Sequence, residues 1–140
     1  MLKLIHRAGS CENGPCPNLF DVAGEGREDM AAVQGTTVTG PGAAAHESVV
    51  LVPRRLVLEY AALTSGEEWP AAGPQQPGEL ADVHGDGPED MVAVKGETLT
   101  DAVALAQLSE KPAHESVVMV PRRLIAEYAG RARKEAMVDA

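Results

Sequence analysis

Three groups of residues have the types and spacing to do chemistry. The most suggestive is an arginine pair that occurs twice, Arg54-Arg55 and Arg122-Arg123, each directly after a Val-Pro step. A guanidinium offers a planar fork of donors that grips carboxylate or phosphate through two parallel hydrogen bonds. In the first turn of a helix it stands beside outward-pointing backbone N–H groups and adds to an anion site. The helix dipole opposes a cation there by a few tenths to about 1 kcal/mol, so helix stability does not explain the pairs. Arg54, Arg55, Arg122 and Arg123 are therefore the candidate anion- or partner-binding residues. The competing reading pairs Arg55 with Glu59 and Arg123 with Glu127 on a solvated helix face, or turns the arginines onto acidic hairpins of the chain's own other half.

The second group is His46-Glu47-Ser48 with its twin His114-Glu115-Ser116. These are the letters of a hydrolase triad, but neighbours on a strand alternate faces and cannot relay a proton to one another. No Gly-x-Ser-x-Gly elbow accompanies them. The third group is Cys11 and Cys16 with His6 nearby, four residues between the thiols. No second Cys or His pair completes a tetrahedral set, so no metal and no cofactor is assigned. The acidic stretches Glu25/Glu28/Asp29 and Asp86/Glu89/Asp90 lack the ligand order of a calcium loop and are expected to be solvated hairpin tips. No catalytic residue is named, and the chain is not expected to be an enzyme.

Positioning these residues is the work of a tandem duplication. The segment His46-Glu47-Ser48-Val49-Val50-Leu51-Val52-Pro53-Arg54-Arg55-Leu56 returns 68 residues later as His114 to Leu124, and Glu59-Tyr60-Ala61 returns as Glu127-Tyr128-Ala129. Upstream, the block from Gly24 to Met30 returns from Gly85 to Met91 at an offset of 61. The second copy thus carries seven extra residues, which fall within residues 101–108 and predict a short helix capped by Thr100 or Asp101. Residues 1–18 are expected to be an irregular leader. Residues 19–22 and 30–34 predict a hairpin ended by Gly35, and 79–83 and 91–95 its twin, ended by Gly96. The β-branched run 48–52 predicts a buried strand, and Pro53 suits the first position of the helix that follows. Leu56, Val57, Tyr60, Ala61 and Leu63 form that helix's apolar face; Leu124, Ile125, Tyr128 and Ala129 do so in the second copy, whose helix is expected to run to about Met137.

The expected fold is α+β: two tandem β-hairpin–β–α repeats forming a pseudo-two-fold antiparallel sheet with the helices on one face. The first repeat spans residues 1–63 with its Cys-containing leader, a Pro/Gly-rich linker spans 64–78, and the second repeat spans 79–140. A repeat of ~60 residues is marginal alone. With one Phe, one Trp and two Tyr in 140 residues, each core is thin. That predicts one domain in which the halves pack on each other.

Composition narrows the function. The net charge is −9, the wrong sign for unspecific binding to nucleic acid. No run approaches the ~20 apolar residues of a membrane span, and the amino-terminal residues lack the apolar core of a signal peptide. The expected location is the cytoplasm.

The second copy, with Val92-Ala93-Val94-Lys95-Gly96, then Leu99-Thr100-Asp101, then Glu115 through Pro121, resembles a class of small acidic actinomycete regulatory proteins of the BldB-like type. So does the opening from Cys11 through Cys16-Pro17 to Leu19-Phe20. Those proteins often accompany helix-turn-helix transcription factors and occur as a single copy; here the copy is doubled. The resemblance implies a regulatory protein-interaction role with a helix-turn-helix regulator as partner, and it supplies no catalytic residue. Two rivals stand beside it. One is a DNA-binding regulator using the four repeat arginines and the basic tail Arg131/Arg133/Lys134. The other is an enzyme or small-ligand binder with a cleft at the repeat interface.

Overall fold

The computed structural model describes residues 3–9, 17–24, 29–38, 47–64, 79–83, 90–100, 105–106 and 115–138, with side chains as far as residue 132. Cys11, Cys16, His46, His114, the hairpin tips 25–28 and 84–89, and the linker from residue 65 to 78 lie outside the described residues, as does the short helix expected over 101–108 apart from the helical Leu105 and Ala106 after it.

In chain order the elements are β1 (Lys3–Gly9), β2 (Asn18–Ala23), β3 (Met30–Val38), β4 (Glu47–Pro53), α1 (Arg54–Thr64), β5 (Glu79–Asp82), β6 (Met91–Thr98), β7 (Glu115–Pro121) and α2 (Arg122–Val138). The fold is α+β, with seven antiparallel strands and two helices that each follow directly on a strand. Each repeat supplies a hairpin, β2–β3 or β5–β6, then a strand and a helix. The strand and the helix meet at the proline as expected, although Pro53 and Pro121 close their strands and the helices open one residue later.

The repeats exchange partners. Strand β3 pairs with β7 of the other repeat from Met30↔Pro121 to Thr36↔Glu115, and β6 pairs with β4 from Met91↔Pro53 to Glu97↔Glu47. The far ends of β3 and β6 then pair within their own repeats, Val38 with Val49 and Thr98 with Val118. β3, β4, β6 and β7 thereby close a ring. The ring interior holds Val33, Val50, Val52, Val92, Val94, Val118 and Val120, covered by Leu56, Val57 and Tyr60 of α1 and Ile125 and Tyr128 of α2. Leu63, expected on the buried face of α1, is instead exposed.

Two expectations are corrected. Gly35 and Gly96 do not end their strands; they sit inside β3 and β6. A Cβ at Gly35 would lie 2.4 Å from the Leu51 carbonyl oxygen, and one at Gly96 2.4 Å from that of Met119. Both glycines are there to let an opposing strand cross close by, and neither is a turn. Nor is the leader irregular throughout. Residues Lys3–Gly9 form β1, which pairs along the outer edge of β2 and buries Leu4 and Ala8. A bulge at Arg7 breaks its two-residue alternation, which hides the strand from a periodicity argument.

Candidate functional site

Where each strand becomes a helix, a tyrosine, an aspartate and an arginine converge, and they do so twice. In the second repeat the Tyr128 hydroxyl donates to Asp82 Oδ1 at 2.5 Å. Arg54, arriving from the first repeat, donates through Nη2 to the same oxygen at 2.7 Å and through Nε to the Tyr128 hydroxyl at 2.9 Å. In the first repeat the Tyr60 hydroxyl donates to Asp21 Oδ1 at 2.6 Å. Arg122, from the second repeat, reaches that oxygen at 3.4 Å and donates to the Met30 carbonyl at 3.3 Å. Each arginine thus crosses the pseudo-two-fold axis to serve the other repeat's carboxylate. Their backbones do likewise: the Arg54 N–H donates to the Asp90 carbonyl at 2.8 Å, and the Arg122 N–H to that of Asp29 at 2.9 Å.

These contacts account for a cation at the positive end of each helix. The first-turn N–H of Arg54 and Arg122 and their guanidinium groups, both buried, meet partners inside the protein. Arg55 and Arg123, one residue on, point outward and are exposed. Arg123 lies 3.9 Å from Glu127, a loose surface pair of little energetic weight. Of the four arginines, the structure places two in crossed internal clusters and two on the outer surface of the helix starts.

The electrostatics follow from this packing. Burial drives the Asp82 carboxyl up, but hydrogen bonds from Tyr128 and Arg54 outweigh it and hold the group below the ordinary carboxylate range. Tyr128 is pushed up to about 12, by burial first and then by its hydrogen bond to Asp82. Tyr60, more deeply buried and bonded to Asp21, is pushed up further. Both phenols remain protonated donors at neutral pH.

Besides the partner of the arginine Nε, the two clusters differ at the second carboxylate oxygen. Asp21 sets its second oxygen, Oδ2, 3.2 Å from Arg7 Nε of β1 in an ion pair, and its side chain is only 9% exposed. The corresponding Oδ2 of Asp82 meets no donor among the described residues, and that side chain is 44% exposed. It opens on a cleft of about 280 Å³ lined by Glu79, Leu80, Ala81, Asp82, Tyr128, Arg131 and Ala132. This cleft lies between β5 and α2 of the second repeat, and among the described residues apolar side chains of both repeats join in one core cluster. Arg131 stands over the Tyr128 ring at 6.0 Å.

The remaining candidates, where they are described, make hydrogen bonds within the fold. Ser48 bonds Thr98 at 2.6 Å and Ser116 bonds Thr37 at 2.7 Å, again across the repeats. Glu115 is buried and accepts from Gln34 Nε2 at 3.1 Å. Among the described residues no group of three His, Cys, Asp or Glu is placed to hold a metal ion, and no helix is long and apolar enough to cross a membrane. Asp21 and Asp82 were not singled out from sequence, although a signal existed. The offset of 61 that relates Met30 to Met91 also carries Leu19-Phe20-Asp21 onto Leu80-Ala81-Asp82. No family model matches this chain, and no curated protein or solved structure matches it.

Proposed function

We propose that this protein is a non-enzymatic regulatory interaction module that presents the two-fold-related starts of α1 and α2 to a protein partner. The observation that carries the reading is the division of labour within each arginine pair. Arg54 and Arg122 lock the helix starts to the opposite repeat, and Arg55 and Arg123 stand exposed on the frame so formed. Exposed guanidinium groups carried on rigidly anchored helix starts suit the recognition of carboxylates on another protein, since the backbone loses little freedom on binding. The resemblance to BldB-like proteins supplies the class of partner, a helix-turn-helix regulator.

The test is charge reversal at the outer residues alone. Arg55→Glu with Arg123→Glu should leave the melting temperature nearly unchanged. It should weaken the complex with a partner captured from the native host by about tenfold, the scale of a lost interfacial charge contact. An unaltered complex removes the arginines from the interface. Binding to duplex DNA that falls steeply with added salt would instead establish the nucleic-acid reading.

A further inference from the structure

The pseudo-two-fold symmetry is broken at one edge of the sheet. In the first repeat, β1 pairs along the outer edge of β2. In the second repeat β5 pairs with β6, and among the described residues nothing pairs with its other edge. Because Val83 N–H donates to the Met91 carbonyl, the alternate residues Leu80 and Asp82 turn their N–H and C=O groups away from β6, to the open edge. β2 is buried from Asn18 to Val22, whereas of β5 only Leu80 is buried. The outer sheet face beside it is also less covered than its counterpart. Phe20, Val22, Met30 and Ala32 are covered by Leu4, Leu99 and Leu105. Of their counterparts, Ala81 and Val83 are exposed and Met91 and Ala93 half-buried.

We propose that the β5 edge binds an extended segment of a partner protein, added as a strand, whose arginine docks on Asp82 Oδ2 as Arg7 docks on Asp21. The inference rests on the interaction-module reading and assigns that module a second, separate surface. The template is in the chain itself. β1 carries Leu4 on the outer face, Ala8 against the helix-side core, and at its bulge Arg7, turned onto the carboxylate beneath α1. Strand addition of this kind takes its affinity from main-chain hydrogen bonds and its selectivity from alternate side chains. Charge selects the occupant. Lys95 lies opposite Glu79 and Arg131 beside Asp82, yet a second copy's β5 would bring two more carboxylates to Glu79 and Asp82, whereas a segment like β1 brings Lys3, His6 and Arg7.

The probe is a synthetic peptide of residues 1–10 of this chain, titrated into the intact isotope-labelled protein. Binding should shift the resonances of residues 79–83 and slow hydrogen exchange at the Leu80 and Asp82 amides. A peptide with Arg7→Ala should bind about tenfold more weakly, as expected for a lost charge-assisted contact. In the protein, Glu79→Lys should weaken the native peptide, and Arg55→Glu with Arg123→Glu should leave it unaffected. The two surfaces therefore fail independently. Resonance shifts that bypass β5, or equal affinity for the Arg7→Ala peptide, would overturn the proposal. Protection of Leu80 and Asp82 without peptide would overturn it too: in a monomer it would show the edge already covered by the chain itself, and in a concentration-dependent dimer it would show a second copy to be the occupant.

Discussion

At the scale of single residues, the two aspartates do the same job in different surroundings. Asp21 accepts from Tyr60 and stands in ion-pair range of Arg122 and Arg7 with little exposure; Asp82 accepts from Tyr128 and Arg54 with its side chain nearly half exposed. Removing one member of a buried ionic network leaves the others uncompensated, so Asp21→Asn should cost about 3–5 kcal/mol in urea unfolding. Asp82→Asn should cost clearly less, because solvent screens its ion pair. Equal losses would contradict the asymmetry. The pH response has two limbs. A carboxyl held below its ordinary value stabilises the fold above that value, so Asp82 contributes a loss of stability as the pH falls below about 4. A phenol pushed up stabilises below its unfolded pKa of about 10, and the gain disappears as pH rises toward the folded value of about 12 for Tyr128. Tyr60 adds to the same limb. Tyr128→Phe should therefore flatten, without abolishing, the alkaline fall in melting temperature. The arginines were legible in sequence because an arginine at a helix start invites explanation. Their aspartates were not, because Asp21 and Asp82 are ordinary strand residues until the fold brings an arginine from the other repeat onto them.

At the scale of elements, legibility tracked the regularity of the pattern. β4 with α1, and β7 with α2, were readable because a β-branched run, a proline and a helical apolar stripe agree on one boundary. β1 was missed because its bulge disrupts the alternation. Gly35 and Gly96 were misread as stops because sequence shows a glycine and not the backbone that crosses above it. Their geometry makes a symmetric prediction. Gly35→Ala and Gly96→Ala each press a methyl to 2.4 Å from a carbonyl oxygen and 2.7 Å from one valine Cγ1, that of Val52 or Val120. Each should destabilise by about 1–3 kcal/mol, the usual cost of overpacking, and the two losses should agree within error. Thermal unfolding of both variants checks this, and a neutral result at either site would mean that the crossing strands can yield.

At the scale of the molecule, the duplication announced a pseudo-two-fold object, but not how its halves are joined. Matching β3 with β6 and β4 with β7 by sequence does not reveal that each hairpin strand takes its long pairing from the other repeat. The register from Met30↔Pro121 to Thr36↔Glu115 and its twin make that exchange. The crossed clusters then tie Arg54 to Asp82 and Arg122 to Asp21 over the same seam. A repeat taken alone loses the partner of its longest strand, its crossed arginine and half of the ring core together. Residues 1–70 or 79–140 expressed separately should therefore be unfolded as monomers or self-associate, satisfying β3 or β6 with β4 or β7 of a second copy. Mixed together, the two fragments should recover one cooperative melting transition at a concentration-dependent temperature, because folding is then coupled to association. Light scattering and circular dichroism on the fragments, singly and mixed, check both statements. Two monomeric halves, each melting sharply alone, would show that the exchanged strands are dispensable and that the repeats are separate domains.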